Sequence, residues 1–332
     1  MKKYIIPEMK LSRFDRENIV TQSGGQPQQT AAFEVVMNNL MWAVPCFIMV
    51  TGALLLPAEK EITYRTLFRK YIARMLKVIV VFGLAFVALE MLFNPDRRSL
   101  SYFLSGVYKI FTGDTWAHMW YIYCLIGLYL LLPAYKKIAA NAEERDIRYL
   151  LIVYAFFEAL LPLLDIGDIR CGFYIHVSSI YPFWLFLGYY LSRWGMKRSR
   201  GFYAALFVVS TVLIIAATRI RMHWDLGSMD MLFEYSSILV IGQACGVAGW
   251  FFRCREEGAA GLKKLLVKVN EHSFGIYLIH MAFVRLIYKF LHFDPFRWNA
   301  ALGIVAVVLF AFVLSYLVDW ILKKLPFFRT IL

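Results

Sequence analysis

Nine apolar runs, each near the length that a helix needs to cross a bilayer, alternate with short charged segments, at about 35–56, 75–93, 117–135, 149–164, 173–192, 202–218, 230–252, 273–291 and 298–322. Hydrocarbon offers no partner to a bare N–H or C=O, so a chain built this way must satisfy its backbone within each span. It does so as helices of about 20 residues. The fold class that follows is all-α, a polytopic transmembrane helix bundle with about nine membrane helices. The fourth run is short and meets Pro162. Residues 99–112, SLSYFLSGVYKIFT, repeat their apolar positions at helical spacing but are too few to span, and they predict an amphipathic helix lying in the interface.

Composition excludes a water-soluble globule: 60% of the residues are hydrophobic and the mean hydropathy is +0.58. The net charge of +13 does not form a continuous basic patch, so it gives no argument for nucleic acid as a partner. Its distribution is topological. Loops 57–74, 136–148, 193–201, 253–270 and the tail 323–332 carry twenty-one Lys and Arg; the alternate loops 94–116, 165–172, 219–229 and 292–297 carry seven. Basic loops stay on the cytoplasmic side, which predicts a multi-pass protein of the inner (plasma) membrane with its C-terminus inside. The same alternation places residues 1–33, a polar segment with five basic residues and no crossing signal, outside. The sequence therefore reads as if it begins one helix late. The expected organisation is a polar N-terminal segment (1–33), one membrane domain (34–325) and a short cytoplasmic tail (326–332).

The five cysteines have no CxxC spacing, and the histidines His176, His223, His272 and His292 have no metal-ligand spacing, so no disulfide framework or metal site is expected. There is no GxSxG elbow, P-loop or dinucleotide fingerprint. Chemistry is left to the membrane-embedded residues.

Several segments resemble the acyltransferase 3 family of integral membrane acyltransferases. VPCFIMVTGALLL (44–56) is similar to its V-P-x-F-F-x-I-S-G-x-L-L helix, FRKYIARMLKV (68–78) to the basic stretch that follows that helix, and HMWYIYCLIGLYLLLPAYKKI (118–138) to its H-L-W-Y-L-Y-x-L-I-G-L-Y-L-L-x-P element. FWLFLGYYLSRW (183–194) resembles its glycine-containing helix end, and SFGIYLIHMAFV (273–284) its late S-x-G-I-Y-L-I-H signature. The resemblance implies a core of ten helices, an acyl-CoA (acetyl-CoA) donor, and a cell-surface glycan or related cell-envelope acceptor. It also implies a base histidine on the first core helix. No histidine precedes His118 here, so the implied core is ten helices minus the first. The departure reads either as a late start or as a divergent member without that base. The Glu-rich version of the third-helix motif is absent too, with Leu125 and Ile126 in its place.

Transfer from a thioester to a hydroxyl needs a base, donors for the developing oxyanion, and cations for a CoA-like donor. Lys70, Arg74 and Lys77 fall on one side of a helix, and Arg69 joins them in the family's basic stretch. They either obey membrane topology alone or bind the donor through Arg69, Lys70 and Arg74. His280, about 10 Å into its helix from Ser273, is either a structural histidine or a catalytic base, with Tyr277 one turn away as a hydrogen-bond partner. His118 opens its helix among aromatic residues. The cluster is an interfacial belt or an acceptor mouth in which Trp120 and Tyr123 stack on sugar and His118 polarises a hydroxyl. Arg285 is expected to pair with Glu158 or Glu234, Glu90 and Lys289 to snorkel from helix ends, and Asp319 and Lys323 to form a surface i, i+4 pair.

The leading expectation is a membrane acyltransferase moving an acyl group, acetyl above all, from cytoplasmic acyl-CoA to a hydroxyl. A transporter or flippase-like protein, or an inactive member of the fold, is the alternative that the absent base would permit.

Overall fold

The computed structural model describes residues 27–167, 169, 179–253, 260–290 and 300–332. Cys171, His176, Cys254 and His292 lie outside them. Every regular element among the described residues is helical. Seven helical stretches there are long and apolar enough to cross a membrane: Ala31–Leu55, Tyr64–Phe93, Leu100–Asn141, Glu144–Gly167, Arg200–Trp224, Gly227–Arg253 and Leu302–Leu322. The two remaining expected spans, 173–192 and 273–291, run into undescribed residues; their described parts include the helices Tyr181–Trp194 and Ala260–Arg285.

The main helices are α1 (Pro27–Asn39), α2 (Ala43–Leu55), α3 (Ala73–Phe93), α4 (Leu100–Thr112), α5 (Trp120–Asn141), α6 (Glu144–Ala155), α7 (Tyr181–Trp194), α8 (Arg200–Trp224), α9 (Ile238–Arg253), α10 (Ala260–Arg285), α11 (Ala300–Leu322) and α12 (Pro326–Ile331). Contacts divide the chain into two compact units, one of residues 1–30, 63–130 and 259–332, the other of 31–62 and 131–258.

In the first unit α3 packs on α4, α10 on α11, and α12 on α3. Helix α3 is entered through a turn capped by Thr63, whose hydroxyl accepts from the Thr66 N–H, and through a π-helical turn at Leu67–Ile72. Helix α4 stands where the amphipathic pattern put it. Ser99 caps its start, and Gly113, at φ 79°, closes its end in the left-handed region that a Cβ disfavours.

In the second unit α2 lies against α7, and α8 against α9. Two reciprocal glycines explain the first contact: a Cβ on Gly52 would run into the carbonyl of Leu185, and one on Gly188 into that of Met49. Backbone meets backbone there, as in other small-residue helix pairs in lipid. Lys136 closes α2, its Nζ donating to the carbonyls of Leu55 (3.0 Å) and Pro57 (2.7 Å), the negative end of the helix. The 35–56 run is not one continuous helix, because a turn at 40–42 separates α1 from α2. The fourth span is longer than its apolar run. Helix α6 has a Glu143/Asp146 capping box and continues past Ala155 through a π turn and a 3₁₀ segment that accommodates Pro162.

Polar groups are turned inward in this unit. Asn38 donates to Thr218 (3.1 Å), Gln243 to Asn39 (3.1 Å) and Thr211 (2.9 Å), and Arg221 pairs with Glu34 (3.0 Å) and Asp230 (2.7 Å). Val208, Val209, Val212 and Leu213 are exposed on the outer side of α8, as lipid requires.

Candidate functional site

The first unit holds two chemically different places along α3. At its start, a cavity of about 400 Å³ is lined by Arg69, Lys70, Arg74, Lys77, Tyr129 and Thr330, among others. Straight α-helical spacing would set Arg69 about 140° round from Arg74. The wider turn at Leu67–Ile72 draws them toward a common side. Arg74 lies over the Phe274 ring, 5.0 Å from its centroid, and its Nε and one Nη donate to the main-chain oxygens of Ile331 (2.9 Å) and Leu332 (2.6 Å). Arg69, Lys70 and Lys77 make no ion pair among the described residues.

Twelve residues further along α3, about 18 Å at 1.5 Å per residue, Phe86 packs edge-on against the His118 imidazole, ring centroids 5.5 Å apart. Here α10 and the turn before α5 meet. The Tyr277 hydroxyl donates to the His118 carbonyl, and His118 Nε2 donates to the Leu278 carbonyl at 3.0 Å. That bond leaves Nδ1 as the basic nitrogen of His118, buried and without a hydrogen-bond partner among the described residues. His280 is oriented the opposite way. Its Nδ1 donates to the Tyr277 carbonyl at 2.7 Å, which leaves Nε2 with the lone pair. The two imidazoles are 5.4 Å apart by centroids, and Tyr277 is 5.8 Å from His118.

His118, His280 and Tyr277, which stand far apart in the sequence, are therefore one cluster. Tyr277 serves His118 through the main chain, not His280 through its side chain. The other two aromatic candidates are engaged elsewhere: Trp120 packs edge-on to Tyr121 (6.0 Å), and the Tyr123 hydroxyl donates to the Ile110 carbonyl (2.6 Å), tying α5 to α4. Tyr121 is the aromatic residue that reaches Tyr277, at 5.6 Å.

Beside the cluster lies a group that the sequence reading did not assemble. Trp116 stacks on Phe86, centroids 4.2 Å apart and planes 4° from parallel, and the Arg285 guanidinium sits 4.0 Å over the Trp116 ring. Arg285 pairs with Glu90, not with Glu158 or Glu234. Glu90 does not snorkel: its side chain is 3% exposed and also accepts from Arg97 (2.5 Å) and Asn94 (3.1 Å). A carboxylate inside an apolar run is costly unless it is paired, so Glu90 itself was the available signal; its partner, 195 residues away, was not. Asp319 also departs from the surface pair expected. It is fully buried, bonded to Lys323 (3.0 Å) and to His272 (2.5 Å), and it packs against Gly275, where a Cβ would not fit.

No curated protein and no solved structure matches the chain. A family model described as an acyltransferase domain matches residues 17–320, nearly the whole sequence. With its apolar helices, the chain belongs to the acyltransferase 3 family of multi-pass membrane acyltransferases.

Proposed function

We propose that this protein transfers an acyl group, most simply acetyl, from cytoplasmic acyl-CoA to a hydroxyl of a cell-surface glycan or related envelope acceptor. The observation that carries the reading is the pairing of two sites on one helix. A cavity lined by four cations opens at the start of α3, and two oriented imidazoles lie about 18 Å further along, a distance comparable to the reach of an extended pantetheine arm. Arg69, Lys70 and Arg74 would hold the donor's phosphates, whose charge suits guanidinium and ammonium groups.

At the other end, His280 Nε2 takes the acceptor's hydroxyl proton as that oxygen bonds to the thioester carbon. The carbon–sulfur bond then breaks, and the proton passes to the departing thiolate. His118 Nδ1, buried and without a hydrogen-bond partner among the described residues, offers a second lone pair, suited to a neighbouring hydroxyl of the acceptor and not to the reacting one, whose single proton goes to His280. The charge alternation of the loops supports an inner-membrane protein with its C-terminus cytoplasmic, the side on which acyl-CoA is found.

Membrane vesicles that hold the protein together with the cell's own envelope glycans, given radiolabelled acetyl-CoA, should release free thiol and fix the label in the glycan. His280→Asn and His118→Asn should each lower that rate by about 100-fold, the usual scale for a lost acid–base group. A folded wild-type protein that releases no thiol from acyl-CoA would overturn the reading.

A further inference from the structure

The donor cavity contains a piece of the chain itself. Helix α12 ends with the main-chain oxygens of Ile331 and Leu332 on the Arg74 guanidinium, and Thr330 lines the same cavity. These oxygens fill two of the hydrogen bonds that the Arg74 guanidinium can make, and no Asp or Glu side chain is among the residues lining the cavity beside its four basic side chains. A phosphate would supply both charge and acceptors, in the two-pronged geometry that a guanidinium prefers. The diphosphate and ribose phosphate of CoA bring about four negative charges, matching the four cations.

The segment is also poorly held. Six residues are too few for a helix stable on its own. Only Ile331 and Leu332 are buried, while Leu325 and Phe327 are about half exposed.

We propose that α12 and the phosphates of CoA are mutually exclusive ligands of Arg74, so that α12 is an intramolecular strap which the donor displaces. The inference rests on the donor reading above and adds its regulation. The strap keeps the guanidinium hydrogen-bonded and over Phe274 when donor is scarce, and it lowers the apparent donor affinity by the fraction of molecules in which the cavity is closed. Adding CoA should exchange the two main-chain acceptors for a phosphate and release residues 326–332.

The test compares CoA binding to the full chain and to a variant lacking residues 326–332, both in lipid nanodiscs. A second measurement follows a spin label on Phe327→Cys, in a background with the native cysteines replaced, while CoA is added. The proposal expects binding at least tenfold tighter in the shortened protein, and a label whose mobility rises along the CoA binding curve. Equal affinities with an unmoved label would overturn the strap and leave the donor site standing. Failure of both proteins to bind CoA would overturn the donor reading and the strap with it. Should the shortened protein not fold, the label alone decides: an unmoved label at saturating CoA overturns the strap.

Discussion

At the residue scale, the chemistry of the site depends on which nitrogen of each imidazole is occupied. Two main-chain carbonyls make that choice. The Leu278 carbonyl takes Nε2 of His118, and the Tyr277 carbonyl takes Nδ1 of His280, so neither histidine needs a carboxylate to fix its tautomer. Glu90 sets a harder problem because it is a charge within a membrane span. Replacing it with glutamine leaves Arg285 and Arg97 beside each other without their shared counter-ion, and the cost should be about 3–5 kcal/mol. The double change Glu90→Gln and Arg285→Gln removes both buried charges and should recover much of that loss. Unfolding of the wild type and these two variants in mixed detergent measures this directly. A double variant no more stable than Glu90→Gln would mean that the pair does not hold α10 to α3. His118 and His280 were each legible as candidates in two separate motifs, but their meeting, 5.4 Å apart by ring centroids, was not. The Glu90–Arg285–Trp116 group was not legible either, because hydropathy reports that a buried acid needs a partner but carries no information about which distant helix supplies it.

At the element scale, most helices follow from their apolar runs and caps, whereas their interruptions do not. The π turn at Leu67–Ile72 has no breaker residue in LFRKYI, yet it sets which basic residues share the basic cavity at the start of α3. The break between α1 and α2 falls in a stretch, NLMW, that composition reads as continuous span. Both are tertiary choices. The glycines are more legible in retrospect. Gly52 and Gly188 sit where α2 and α7 touch backbone to backbone, and alanine at either position should cost about 1–3 kcal/mol through forced separation of the helices. Gly227, where a Cβ meets open space, serves as the control. Loss of thermal stability at Gly227→Ala equal to that at Gly52→Ala would refute the close-packing account.

At the scale of the whole molecule, the order of the spans and their charge bias give a topology that can be measured. Cysteine at Ala140, exposed near the end of α5 in the basic segment 136–148, should react with a membrane-impermeant maleimide only after permeabilisation; cysteine at Gly227, in the sparsely charged segment 219–229, should react in intact cells. The reverse pattern would put the basic cavity on the wrong side for the proposed acyl-CoA donor.

The inward-turned amides and hydroxyls of the second unit bear on how this protein avoids misfolding. Lipid gives apolar helices little reason to prefer one sliding position over another, since leucine meets leucine or acyl chain with similar ease. Thr211, Thr218 and Arg221 are bonded at separate heights on α8. A slip of one turn, about 5.4 Å, would unmake all three attachments together and leave their polar groups facing hydrocarbon. The seam thus works as a gauge of axial register, selecting one arrangement of helices whose outer surfaces would tolerate many.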